Sequence, residues 1–297
     1  MRKIVEKIVF DMTGFESSIK SLEKLTNIDA RKIFKYISER KEKYDVGDFL
    51  GTFNIREETL LSKELELVSL HVTTTFDDLA TVKEFGLINL QQAVTLDTPF
   101  RRYLKEKEIF VDVEKKEIHH KGNIIDISKE WDGLHGDGYE KQLNWVVYKL
   151  FIDNQVSAFF YTPNALDYGG DVRRGPEFLI NLTRLLKDSS IENDWKSSSI
   201  KKCYVLKFVS PLSDYEVDSF YSSGGLNRDN INLLDEDEIP IEKIKSLIEK
   251  ALRHIHDFVF YSVDECFSYV RSNVIIPFNQ ITDIYTEEEY LEEYNIK

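Results

Sequence analysis

Residues 64–87 read ELELVSLHVTTTFDDLATVKEFGL, and this stretch sets the fold class. Its first half is rich in β-branched and aliphatic residues and alternates only in part, as a strand buried on both faces does. That strand delivers His71 near its end. Thr75, Phe76, Asp77 and Asp78 then offer a capping-box-like start, and the helix they open ends at Gly86, a residue free to terminate a helix at positive φ. Strand, cap, helix and glycine follow without slack. A sheet with helices packed on it is the expected architecture.

Working outward from this stretch, 1–62 reads as a helical N-terminal portion. In DARKIFKYISERKEKY (29–44), Asp29 is placed to cap a helix whose Ile33, Phe34 and Ile37 share one stripe, and Gly47 and Gly51 then break the pattern. Residues 63–297 read as an α+β core domain. IFVDVEKKEIHHKGNIIDI (109–127) holds three short apolar runs divided by polar turns, the pattern of an antiparallel meander. YEKQLNWVVYKLF (139–151) places Leu143, Val146, Val147, Leu150 and Phe151 on one helical stripe. VSAFFYT (156–162) and CYVLKFV (203–209) read as strands, and PEFLINLTRLLK (176–187) as a helix with Pro176 in its first turn. After a glycine-containing loop at 221–230, the acids of 235–238 precede a periodic helix carrying Ile241, Ile244, Leu247, Ile248, Ala251 and Leu252. DFVFYS (257–262) and NVIIP (273–277) read as β runs around a short helix, DECFSYVR (264–271), and 286–297 as an acidic tail. The fold class is therefore α+β, with a mixed, largely antiparallel sheet covered by amphipathic helices.

Composition narrows the function. Lys and Arg number 39 against 53 Asp and Glu, a net charge of −14. Direct nucleic-acid binding is disfavoured, because phosphate contacts depend on clustered cations. The opening MRKIVEKIVFDM is interrupted by Glu6 and Asp11 and does not read as a signal peptide, and no stretch approaches the length of an apolar membrane span. Cys203 and Cys266 stand far apart without companion ligands, so no disulfide or zinc site is expected and a reducing cytoplasm fits. His119 and His120 are strand neighbours pointing to opposite faces, and His254 and His256 lack a third ligand, so no metal is expected. GLHGDG (133–138) has the wrong glycine spacing for a dinucleotide loop and reads as a connection. The wealth of Lys, Ile, Asn and Glu suggests an AT-rich coding genome, such as that of a low-GC bacterium or its phage.

The segment from His71 to Leu87 resembles the opening of ADP-ribosyltransferase-like folds, in which a strand-end His or Arg and a following hydroxyl residue precede a helix ending in Gly-Leu. The resemblance implies NAD as cofactor, His71 and Thr73 on its ribose, and Tyr161 as the aromatic against nicotinamide. The late-strand Glu of such enzymes has no counterpart in NVIIPFNQITDIY.

A second pattern interleaves acids with aromatics: SDYEVDSFY (213–221), YSVDECFSY (261–269) and EEEYLEEY (287–294). Aromatics anchor interfaces and flanking acids complement a basic partner. Tyr215, Phe220 and Tyr221 are expected to anchor a partner that Asp214, Glu216 and Asp218 steer. In size, acidity and coding character the chain resembles phage-encoded inhibitors of bacterial defence, among them the Gabija anti-defence family, which envelops a nuclease complex. That resemblance implies a non-enzymatic inhibitor that occupies the nucleic-acid-contacting face of another protein, self-associates into a homo-oligomer, needs no cofactor and acts in the host cytoplasm.

Overall fold

The computed structural model describes residues 6–40, 45–131, 133, 136–170, 172–222 and 226–296. The loops expected at 133–138 and 221–230 lie partly outside them. Strand β1 (Glu6–Phe10) is followed by helices α1 (Phe15–Thr26), α2 (Ala30–Glu39), α3 (Val46–Thr52) and α4 (Glu57–Leu61) before the long strand β2 (Lys63–Thr75). The chain continues through α5 (Ala80–Phe85), α6 (Leu90–Thr95), α7 (Pro99–Glu106), then β3 (Ile109–Asp112), β4 (Glu117–His120) and β5 (Asn123–Asp126). After α8 (Gly138–Phe151) come β6 (Val156–Tyr161), α9 (Glu177–Leu186), α10 (Ser190–Ser197) and β7 (Lys202–Pro211). The last third contains α11 (Ile239–Phe260), β8 (Cys266–Val270), β9 (Ile281–Thr286) and α12 (Glu287–Glu293).

The main sheet has the order β8-β6-β2-β7-β9, antiparallel at every step, with β1 running parallel to the first half of β2. The fold is thus α+β with a mainly antiparallel sheet. β3, β4 and β5 form the separate meander read from the sequence. Asp29 caps α2 by accepting from the Arg31 amide, and Ile33 and Ile37 are buried, whereas Phe34 is exposed and Tyr36 takes its place in the core.

Four local expectations are corrected. The N-terminal portion contains a strand as well as helices: Ile8 and Phe10 turn inward while Val9 is exposed, a period of two. DECFSYVR supplies a strand, β8, because Cys266, Ser268 and Val270 alternate into the core. DFVFYS is the end of α11 rather than a β run, and NVIIP contributes only one bridge, Ile276 to Leu87. The acidic tail, for which the sequence set no conformation, is helical over Glu287–Glu293, started by the Thr286 side chain on the Glu289 amide.

The boundary between 62 and 63 does not separate two cores. α1 to α4 pack with α11 over one face of β1, β2, β6 and β7, in a single apolar cluster holding Leu22, Ile33, Phe49, Leu67, Phe208 and Leu247. Lys63 seals the junction: its buried ammonium donates to the carbonyls of Lys24 and Leu25, the otherwise unpaired end of α1. The opposite face of the sheet is closed by Tyr290 of α12 with Ala165 and Leu166. A further core gathers α7, α8, α9 and the meander around Trp195, whose ring lies 4.1 Å from that of Phe76 and whose Nε1 donates to Thr74 Oγ1 at 3.2 Å. Phe76 directly follows β2, so the second core is anchored to the end of the central strand.

Candidate functional site

The sheet has a weak seam. β1 occupies the edge of β2 along Lys63 to Leu67, and β6 meets the same edge at one residue pair only, Leu70 with Phe159. Side chains bridge the strands on both sides of that pair. On one side the Tyr215 hydroxyl donates to the Leu67 carbonyl at 3.2 Å and pairs with Ser69 Oγ, which also accepts from Ser268. On the other, His71 Nδ1 lies 2.8 Å from the Ser157 carbonyl. A carbonyl only accepts, so Nδ1 carries the proton and Nε2 is left as a lone-pair acceptor. Burial pulls the His71 pKa below its ordinary value against that hydrogen bond, which favours the neutral ring.

Beyond His71 the seam opens into a cleft of about 580 Å³ that His71 and Thr73 both line. Its aromatic wall comes from three elements: Tyr148 of α8, Phe159 of β6, and Phe267 of β8, with Tyr168 set edge-on to Phe159 at 5.5 Å and to Phe267 at 5.3 Å. Its charged floor is Lys149, held 2.5 Å from Asp153 and 2.7 Å from Glu177. Burial alone would lower the Lys149 pKa, but the two carboxylates outweigh it and the net shift is upward. The lining thus combines an aromatic wall with a few polar and charged groups.

Tyr161 does not join His71 and Thr73. A bulge in β6 after Phe159 turns it into the other core, where its ring stacks on His254 at 4.3 Å and burial raises its pKa. It borders a different pocket of about 260 Å³, lined also by Cys266, Lys250 and Glu265. The aromatic that accompanies His71 is Tyr168, Phe267 or Tyr148 instead, and the acids in its cleft are Asp153, between α8 and β6, and Glu177 on α9, neither on a late strand.

The expected partner anchors are corrected more sharply. Tyr215 and Phe220 are fully buried: Tyr215 knots the seam, and Phe220 packs 6.1 Å from Phe160 with the Lys243 ammonium 4.8 Å from its ring centroid. Their hydroxyl and ring are spent inside, so neither can contact a partner in this fold. Of the rest, Asp218 is exposed near Arg228, Tyr221 and Glu216 are half-buried, and Asp214 accepts from Ser210 at 2.5 Å.

A surface that the acid-aromatic run 261–269 covered only in part lies at the end of α11. Phe258, Phe260 and Tyr261 are 57%, 50% and 67% exposed, and Val259 between them is also exposed. They are nonetheless held in place: Phe258 stacks on Phe15 at 4.7 Å, and the His256 ring lies 5.1 Å from both Phe260 and Tyr261. Asp264 and Glu265 follow, both exposed. The signal was present in the sequence, since 258–261 is apolar on every side of the helix, beyond any core stripe.

Among the described residues no group of three or more potential ligands could hold a metal ion, and no helix is long and apolar enough to cross a membrane. No protein-family model, curated protein or solved structure matches the chain.

Proposed function

We propose that this chain is an acidic protein-binding inhibitor that covers a basic, nucleic-acid-contacting surface on a partner, and that the partner is a bacterial anti-phage nuclease complex of the Gabija type, met in the host cytoplasm. The observation that carries the reading is the exposed, braced aromatic run Phe258 to Tyr261 beside Asp264 and Glu265, on a chain of charge −14. Fixed aromatic anchors lose little freedom on docking, and the acids around them select a cationic partner. The proposed anchors therefore move from Tyr215 and Phe220 to the end of α11, while Asp218 and Tyr221 remain available at its polar flank. Self-association is part of the reading, with β9 offering a mostly exposed edge strand.

The test is kinetic binding to a purified Gabija nuclease complex, with and without competing DNA. Phe258→Ala with Tyr261→Ala should cost about 2 kcal/mol or more and act mainly by faster dissociation. Asp264→Asn with Glu265→Gln should slow association, by an amount that shrinks as salt is raised. Absence of binding, or binding indifferent to DNA and to both pairs of substitutions, sinks the proposal.

The second reading, an NAD-using ADP-ribosyltransferase-like enzyme or its descendant, is favoured by one observation: His71 and Thr73 line an open cleft. NAD turnover that disappears in a folded His71→Ala variant is the outcome that would carry it.

A further inference from the structure

The cleft at the seam continues into a smaller pocket of about 230 Å³, with which it shares Trp145, Tyr168, Val172, Gly175 and Glu177 as walls. At the inner end of this pocket stands Asn181 of α9, only 4% exposed. Its Nδ2 is buried and has no hydrogen-bond partner among the described residues. Buried amide donors are nearly always paired, because a donor removed from water without an acceptor loses its hydration and gains nothing. An orphaned donor that lines a cavity marks the place of an absent acceptor.

The walls specify the shape of what carries that acceptor. Trp145 comes from α8 and Tyr168 from the turn before α9, both partly exposed, and both line the pocket that Asn181 also lines. A flat ring fits such walls, and a carbonyl oxygen or ring nitrogen on its edge would accept from Nδ2. At the mouth stands Arg184, one turn beyond Ile180 on α9; its side chain is exposed and makes no ion pair among the described residues. In a chain of charge −14, an unpaired guanidinium at the rim of an aromatic pocket is placed to take an anion, which a planar fork binds in two-point fashion.

We infer that this side pocket binds a free mononucleotide, with its base between Trp145 and Tyr168, a base acceptor on Asn181 Nδ2, and its phosphate on Arg184. The small pocket holds the base, and the sugar and phosphate lie toward Arg184 and the larger cleft. The inference requires neither a protein partner nor turnover of NAD, so it stands or falls separately from both functional readings.

The test is titration calorimetry on the intact chain with AMP, GMP, CMP and UMP, the corresponding nucleosides, inorganic phosphate, and a single-stranded oligonucleotide. One mononucleotide at least is expected to bind saturably with one site per chain. Arg184→Ala should weaken that nucleotide about tenfold while leaving its nucleoside unchanged, because only the phosphate contact is lost. Asn181→Leu should weaken nucleotide and nucleoside alike by about tenfold, and should raise the melting temperature of the empty protein by removing the orphaned donor. Since Arg184 is exposed, its variant keeps the fold and the test alive even if a core variant does not fold. No saturable nucleotide binding by folded protein overturns the inference. So does phosphate binding as tightly as the nucleotide, an oligonucleotide binding more tightly than it, or affinity unmoved in both variants.

Discussion

His254 lies on α11 with its ring parallel to Tyr161, at an interplanar angle of 5°, and its Nδ1 2.8 Å from Ser18 Oγ. Ser18 Oγ already donates to the Gly14 carbonyl, so His254 Nδ1 is the donor of the pair, a role open to the neutral and the protonated ring alike. Burial pushes its pKa down to about 4, against a weaker upward pull from Asp11. The sign of the consequence follows from which state takes the proton. Between pH 6.5 and 4 the unfolded chain protonates this histidine and the folded chain does not, so stability is full above 6.5 and is lost as pH falls through the window. The loss from this residue reaches about 3 kcal/mol at most. Urea unfolding of wild type and His254→Gln from pH 7 to pH 4 should show a shallower decline for the variant. Parallel declines would mean that the ring is not held neutral. The surroundings of His254 were not legible beforehand, because Ser18 and Tyr161 reach it from distant parts of the chain, whereas the Asp29 cap, a local contact, was.

Among the elements, those with a strong period were legible and those whose period is set by distant packing were not. The six apolar positions read for α11 are all buried, as are Val146, Val147 and Leu150 of α8. The three runs of the meander pair as read, because polar turns punctuate them. β8 misled because CFSYV is short and its alternation appears only once β6 lies beside it; α11 outran its expected end because 257–260 lacks a Gly or Pro to stop it. The sequence placed His71 and Thr73 at the end of a strand but not in a cleft, and Trp145, Tyr168 and Asn181, which carry no local signal, are brought to it by tertiary packing. Gly86 was read as a helix end, and the structure adds a second demand. Its φ is +81°, and a Cβ there would stand 2.3 Å from the Ile276 carbonyl oxygen. That carbonyl accepts from the Leu87 amide at 2.8 Å, so it cannot withdraw without losing the bridge between the two segments. Gly122 has nearly the same φ, +80°, but open space around it. Gly86→Ala should therefore cost more stability than Gly122→Ala, by about 1 kcal/mol or more, in thermal or denaturant melts. Equal costs would show that only backbone strain matters at Gly86.

For the molecule as a whole, the decisive contact is between its two ends. The sequence divides naturally near residue 62, where a helical stretch gives way to the long strand, and nothing in composition or linker content argues against that division. Packing does, because the apolar faces of α1 to α4 have α11 as their partner, and α11 lies in the last third of the chain. Such a pairing leaves no trace in local periodicity, since each helix shows only that it has a face to bury and not against what. The energetic scale then decides what a truncated chain does. Leu22, Leu25, Ile33, Tyr36, Ile37, Phe49, Leu50 and Leu60 are all buried in the shared cluster, and their burial contributes about 2 kcal/mol each. Removing 1–62 takes away that contribution, strips β1 from β2, and bares the part of α11 that packs on α1 to α4. The total net stability of a domain is only about 5–15 kcal/mol, so the loss exceeds what the remaining sheet can absorb. A fragment spanning 63–297 should be insoluble or lack a cooperative unfolding transition by circular dichroism, where the intact chain shows one. A soluble fragment that melts cooperatively would establish that the strand-rich portion is a domain in its own right, and that the helices of 1–62 are an attachment to it rather than half of its core.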